Sequence, residues 1–195
     1  MKDSVRPGKW LPPHDISNVL ITAEEIRARV DALVLEMLDD CRAEDLVMVG
    51  ILRGSFMFLA DLVRGLYRQN VHPRIDFMTL ESYGSGTTSR GTVTIRKDIT
   101  TDVTGADVVL IDDILDSGRT LLFACNLLRN KGAGSVKTCV LLDKPAQRVQ
   151  PCKADHVGFT IEPHFVVGYG LDYDHYYREL PYIARVAFPE TEAKD

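Results

Sequence analysis

Several things are scarce in this 195-residue chain. Its four cysteines, Cys41, Cys125, Cys139 and Cys152, fall in no C-x-x-C or other metal-ligand spacing. That leaves no basis for a disulfide framework or a thiolate-bound zinc. Cys125 and Cys139, set among apolar neighbours, read as small buried thiols. Positive charge is in deficit: 23 Lys and Arg against 28 Asp and Glu give a net charge of -5. The balance argues against broad attachment to nucleic acid or anionic lipid, while leaving room for a local basic pocket. No apolar run approaches the length of a membrane span, and the opening "MKDSVRPGKWLPPHD" has no apolar signal core. A soluble cytoplasmic protein is therefore expected. Neither G-x-x-x-x-G-K-S/T nor G-x-G-x-x-G occurs, so the P-loop and the dinucleotide fingerprint are both missing.

What is present is ordinary globular material, 45% hydrophobic and 26% charged, enough for one domain with a sizeable core. No repeat, low-complexity tract or linker divides it. Residues 1–18 read as an irregular lead-in. Thr22 and Glu25 then form a capping-box pattern ahead of "IRARVDALVLEML", whose apolar spacing is helical. "DLVMVGIL" (45–52) is a continuous apolar run of buried-strand type, "SFMFLADLVRGLYRQ" (55–69) a helix and "RIDFMTLES" (74–82) a strand. The glycine-rich "YGSGTTSRG" (83–91) is expected to be a mobile loop, with "TVTIRKDI" as a strand returning from it. "DVVLID" (107–112) is again a buried strand. "TLLFACNLLRNKG" (120–132) is a helix stopped at Gly132, "SVKTCVLLDK" (135–144) a strand, and shorter apolar pieces follow at 155–161 and 165–169. This alternation predicts an α/β fold with a mostly parallel central sheet flanked by helices.

In such sheets ligands bind beyond the carboxyl ends of the strands. Three of the predicted strands end in unusual chemistry: "ILRGS", "LIDDILDSGRT" and "LLDKP". In the second, Ser117, Gly118, Arg119 and Thr120 open a helix, where unpaired N–H groups and the positive dipole end suit a phosphate. A plain turn capped by Ser117 or Asp116 explains that piece about as well. Asp112 and Asp113 change the balance, because adjacent carboxylates at a buried strand end repel unless hydroxyls, a cation or water satisfy them. A ribose diol or Mg²⁺ would do so. Asp116 beside a phosphate weakens phosphate binding, so it points to another task, such as handling a proton.

"VVLIDDILDSGRT" resembles the phosphoribosyl-pyrophosphate signature of the type I phosphoribosyltransferases. The resemblance extends through "GILRGSFMFLADL", "ESYGSGTTSRG", "LLDKP" and "FVVGYGLDYDHYYRELPYI". Together these are similar to the 6-oxopurine branch, the hypoxanthine-guanine phosphoribosyltransferases, from about residue 15 to 185. The resemblance implies transfer of a 5-phosphoribosyl group from phosphoribosyl pyrophosphate to hypoxanthine or guanine, giving IMP or GMP plus pyrophosphate, with Mg²⁺ as cofactor. It implies a core at about 20–160, a hood built from about 1–18 and 160–195, and a homodimer or homotetramer. No nucleic-acid or membrane partner is implied.

By the same likeness, Asp116, Ser117, Gly118, Arg119 and Thr120 hold the 5'-phosphate, with Asp116 facing N7 of the purine. Asp112 and Asp113 lie by the ribose hydroxyls and the metal; the family commonly has Glu-Asp at this pair, so one arm here is shorter. Arg53, Gly54 and Arg178 meet pyrophosphate. Ser82 and Tyr83 head a lid that excludes water from a cationic transition state. Lys144 meets the base edge. An ammonium only donates hydrogen bonds, so it favours a 6-oxo group over an amino group. Phe165 stacks on the purine, Val166 offers backbone groups to its edge, and Asp172 belongs to the purine site and sits by a second Mg²⁺. Outside that family, "LLDKP" would be a strand with a solvated lysine and Phe165 a core aromatic. Xanthine remains an open substrate. A nucleotide-sensing RNA regulator of this fold would call for a basic surface. A phospho-acceptor domain would call for an early acidic pair.

Overall fold

The computed structural model describes residues 15–83 and 92–187. In chain order it contains β1 (Asp15–Ile21), α1 (Ala23–Asp40), β2 (Leu46–Leu52), α2 (Phe56–Arg68), β3 (Arg74–Tyr83) and β4 (Thr92–Lys97). There follow β5 (Asp107–Leu115), α3 (Arg119–Asn130), β6 (Ser135–Asp143), β7 (His156–Thr160), β8 (Val166–Val167) and β9 (Ile183–Ala187). Six strands make one sheet in the order β4-β3-β2-β5-β6-β7. Its neighbours pair in parallel except at the edge, where β4 runs antiparallel to β3.

Strands buried on both faces have no polar side to show, which is why β2 and β5 read as unbroken apolar runs. Successive side chains still alternate between faces. Met48, Val109 and Ile111 join Leu33, Met37, Leu59 and Leu62 of α1 and α2 in one core. Val47, Val49, Val108 and Leu110 join Leu121, Ala124 and Leu128 of α3 in the other. At the start of α1, Thr22 N–H donates to Glu25 Oε2 at 2.7 Å and Glu25 N–H to Thr22 Oγ1 at 3.2 Å, completing the expected capping box. Gly65 lets the two helices on that face meet: a Cβ there would stand 2.5 Å from Val34 Cγ2.

Three points differ from the expectations. Within the supposed irregular lead-in, Asp15–Ile21 is a strand that pairs antiparallel with β9, Asn18 opposite Arg185. With β8 it forms a separate sheet in the order β1-β9-β8. β9 itself was not anticipated as a strand. β5 runs past Asp112 to Leu115, because the ladder to β6 continues through Ile114 opposite Leu142 and Leu115 opposite Asp143.

At the opposite, amino end of the sheet, carboxylates close the loops. Asp107, 6% exposed, accepts from the N–H and guanidinium of Arg42 and from Ser135 Oγ, and the Arg42 bonds hold its carboxyl well below the usual range. Asp76 accepts N–H bonds from Phe77, Thr100 and Thr101, each at 2.7 Å. Burial pushes the Asp76 carboxyl up, but the N–H groups of Thr101, Phe77 and Thr100 together outweigh it and bring it down to about 2. A carboxyl with a depressed folded pKa gives stability that is present above its unfolded value and lost as pH falls through the folded one. Asp76→Asn should therefore cost on the order of 2 kcal/mol at pH 7. The loss should shrink between pH 4 and 2, near the unfolded and folded values of 3.8 and about 2. Denaturant melts across that pH range measure it.

Candidate active site

The carboxyl ends of β2, β5 and β6 carry the three motifs to one rim. After β2 the chain turns through Arg53 and Gly54, and the Leu52–Arg53 peptide is cis. Ser55 Oγ, fully buried, donates to the Ile51 carbonyl at 2.6 Å and secures the turn into α2. Gly54 lies against the end of β5 so closely that a Cβ on it would stand 1.5 Å from Asp113 Oδ2. From the other side, a Cβ on Gly170 (φ 101) would be 2.1 Å from the Gly54 carbonyl oxygen. The segment after β8 is thus stacked on the segment after β2.

Between them opens a cleft of about 340 Å³. Arg53, Gly54, Asp112, Asp113, Asp116, Ser117, Gly118, Thr120, Asp172 and Arg178 all line it, from three separate stretches of the chain. Asp112 is buried, and its Oδ1 accepts the Asp113 N–H at 3.1 Å. Burial, then the Asp113 charge beside it, pushes the Asp112 carboxyl well up; burial raises Asp113 too. Such a pair resists full ionisation until a cation or donor hydroxyls approach. At the mouth of α3 the capping position is Gly118, with φ 82, and not Ser117 or Asp116. Gly118 has no side chain to cap the helix, and Ser117 Oγ accepts the Arg119 N–H at 3.4 Å, which leaves the N–H groups of Thr120 and Leu121 to an anion. Arg178 forms an ion pair with Asp172 at 2.7 Å and donates to the Gly170 carbonyl at 2.5 Å.

Of the expected base-side residues, Asp172 lines this cleft, while Lys144, Phe165 and Val166 stand beside it and do not line it. Lys144 donates its backbone N–H to the Leu115 carbonyl at 3.0 Å. Its Nζ donates to the His164 carbonyl at 2.6 Å. Burial pushes its ammonium pKa down, with the Asp116 charge opposing. Phe165 follows His164, is 45% exposed, and takes the edge of Tyr173 at 5.4 Å with the planes at 85°. Val166 is buried and pairs with Arg185. Arg119, the first residue of α3, likewise falls outside the lining, although Gly118 and Thr120 on either side belong to it. Ser82 and Tyr83 end β3, while their side chains and the lid at 84–91 lie outside the described residues.

Two contacts were missed. Arg148 donates to the Asp116 carbonyl at 2.6 Å and pairs with Asp143. With its amide nitrogen turned to the carboxylate, Gln147 donates to Asp116 Oδ2 at 2.9 Å and Oδ1 at 2.5 Å. A cation four residues past the β6 lysine was the one available hint for Arg148; Gln147 offered none.

The donor set bears on a metal. Among the described residues no group of three or more His, Cys, Asp or Glu side chains is arranged to hold an ion. Asp112, Asp113 and Asp172 line one cleft, however. Mg²⁺ keeps several waters and is commonly held by one or two carboxylates plus substrate phosphates, and the cleft fits an ion of that kind. No described helix is long and apolar enough to cross a membrane.

Fold and cleft define the class, and the phosphoribosyl transferase domain matches residues 20–174. The chain is 45% identical over 170 residues to the hypoxanthine-guanine phosphoribosyltransferase of Bacillus subtilis, spanning 87% of this chain and 93% of that protein. A 44% match over 170 residues to the Bifunctional protein TilS/HprT of Listeria monocytogenes spans 87% of this chain and 26% of that longer protein. A crystal structure of a hypoxanthine phosphoribosyltransferase from Staphylococcus aureus gives a TM-score of 0.83 at 41% identity, over 92% of this chain and 96% of that one. The chain belongs to the hypoxanthine-guanine phosphoribosyltransferase family.

Because a Cβ on Gly54 would stand 1.5 Å from Asp113 Oδ2, Gly54→Ala must displace the Asp113 carboxylate. The variant should fold with native circular dichroism yet lose about 10²-fold in turnover, the scale expected when reacting groups shift by an ångström. A steady-state assay beside the parent protein tests this.

Proposed function

We propose that the chain is a purine-salvage enzyme that moves the 5-phosphoribosyl group of phosphoribosyl pyrophosphate to N9 of hypoxanthine or guanine, giving IMP or GMP plus pyrophosphate. The observation that carries this reading is the convergence of Arg53, Asp112, Asp113, Asp116, Thr120, Asp172 and Arg178 on one cleft. The N–H groups at the head of α3, with the hydroxyls of Ser117 and Thr120, hold the 5'-phosphate. Asp112 and Asp113 accept from the ribose hydroxyls. Arg53 and Arg178 face the diphosphate, with the backbone of Gly54 beside them. Residues about 20–160 form the core in this reading, and the β1-β9-β8 sheet belongs to the hood over its rim.

The bond from C1' to the pyrophosphate oxygen breaks as the bond from C1' to N9 forms. Asp116 takes and holds the proton at N7, so that the ring can give its electron pair at N9. Lys144 donates to the 6-oxo group, Phe165 covers the ring face, and the Val166 backbone meets its edge. Ser82 and Tyr83 carry the lid. Asp172, Asp112 and Asp113 would hold Mg²⁺, whose charge would stabilise the departing diphosphate. Each of these residue roles rests on the family likeness together with the chemistry of the group.

Incubation with phosphoribosyl pyrophosphate, Mg²⁺ and hypoxanthine, guanine, xanthine or adenine should yield IMP and GMP and negligible AMP. Failure with every 6-oxo base would sink the proposal. Chelation should abolish turnover and added Mg²⁺ restore it. Asp116→Ala should lower kcat by about 10²–10⁴-fold. A site built on such pairing rejects the wrong base by about 10⁴-fold. Lys144→Gln, whose amide both donates and accepts, should therefore narrow the gap between hypoxanthine and adenine, measured as the ratio of their kcat/KM values.

A further inference from the structure

The strap that follows β6, residues 144–152, is tied step by step to the turn that follows β5. Lys144 N–H donates to the Leu115 carbonyl at 3.0 Å, and Arg148 Nη1 to the Asp116 carbonyl at 2.6 Å. The N–H groups of Val149 and Gln150 converge on the Ser117 carbonyl at 3.1 and 3.0 Å. Cys152 packs against Gly118, where a Cβ would stand 3.0 Å from its own. Consecutive residues of the turn are thus braced along their backbones by one segment.

Gln147 adds a contact of a different kind, since it reaches a side chain. With the amide turned so that its nitrogen faces the carboxylate, Nε2 stands 2.9 Å from Asp116 Oδ2 and 2.5 Å from Oδ1. The reverse amide orientation would set one oxygen against two carboxylate oxygens, with no donor between them. An exposed glutamine ordinarily samples many rotamers, and pinning it costs entropy. Here its backbone is already fixed. Gln147 ends the short turn Pro145–Gln147, which opens on a proline, and its N–H closes onto the Lys144 carbonyl at 3.1 Å.

We propose that Gln147 is a positioning residue for Asp116, its amide gripping both carboxylate oxygens and fixing the direction from which they meet N7 of the purine. This rests on the reading of Asp116 given above. A carboxylate has about four lone-pair sites. The amide occupies the side facing the strap and leaves the remainder for the ring. Base recognition and proton handling then share one rigid piece, with Lys144 at its head and Gln147 in its turn.

If Gln147 only helped to hold the strap to the turn, its loss would disturb base binding in general. A role through Asp116 concerns N7 alone, and two measurements separate the cases. Gln147→Ala should lower kcat/KM for hypoxanthine about 10-fold, as expected for a hydrogen bond to a charged group, with an unchanged thermal midpoint. Combined with Asp116→Ala, the same substitution should cost less than about twofold, because no carboxylate is left to act on. The inhibition constant of 7-deazahypoxanthine, which carries carbon in place of N7, should not change in the single variant. The proposal is overturned by full activity in Gln147→Ala, by a 10-fold loss that persists without the carboxylate, or by a parallel weakening of the deaza analogue. A fully active Asp116→Ala would sink the reading of Asp116 and this inference with it, whereas the other failures leave Asp116 in place.

Discussion

Gly54 lets the chain after β2 pack against the Asp113 carboxylate on one side and the Gly170 backbone on the other, and the geometry of the cleft depends on it. On one side the Asp113 carboxylate occupies the space a Cβ would need; on the other, Gly170 approaches the Gly54 carbonyl. The end of β2, the end of β5 and the segment after β8 are thereby fixed to one another. Asp172 and Arg178 follow on that last segment, so their reach into the cleft is set by the same contact. A rim assembled from distant segments is only as rigid as its contacts, and here those contacts are backbone against backbone or carboxylate.

The polar side of the cleft costs free energy in exchange for readiness. Asp112 is buried and the adjacent Asp113 half-buried, and both carboxyls are held above their usual range. Buried like charges are unfavourable without partners, and a ligand bringing hydroxyls and a divalent cation relieves that penalty on binding. The parts remote from the rim show the opposite arrangement. Asp76 and Asp107 are carboxylates already supplied with donors, and their pKa values are lowered. Satisfied carboxylates close the amino end of the sheet, while under-supplied ones face the cleft.

How much of this could be read in advance follows from locality. β2 and β5 announced themselves because strands covered on both faces need unbroken apolar runs. The capping box of α1 lies within four residues and was legible for the same reason. β1 and β9 were not, since each finds its partner near the other end of the described chain and neither has a hairpin turn to signal it. The motif residues at the cleft were legible through family likeness more than through physics: Lys144 or Phe165 alone is an ordinary strand-end residue. Gln147 escaped entirely. An exposed glutamine in "KPAQR" has no signature, and only the proximity of two loops reveals its partner.

The two helices nearest the cleft sit on opposite faces of the sheet and both begin at its rim, α2 just after Gly54 and α3 just after Gly118. They follow β2 and β5, which are neighbours in the ladder, so their positive ends are held apart by a spacing that the sheet itself dictates. In the proposed reading the sheet thus acts as a ruler between the turn at Gly118, where the 5'-phosphate would sit, and the turn at Arg53 and Gly54, where the diphosphate would sit.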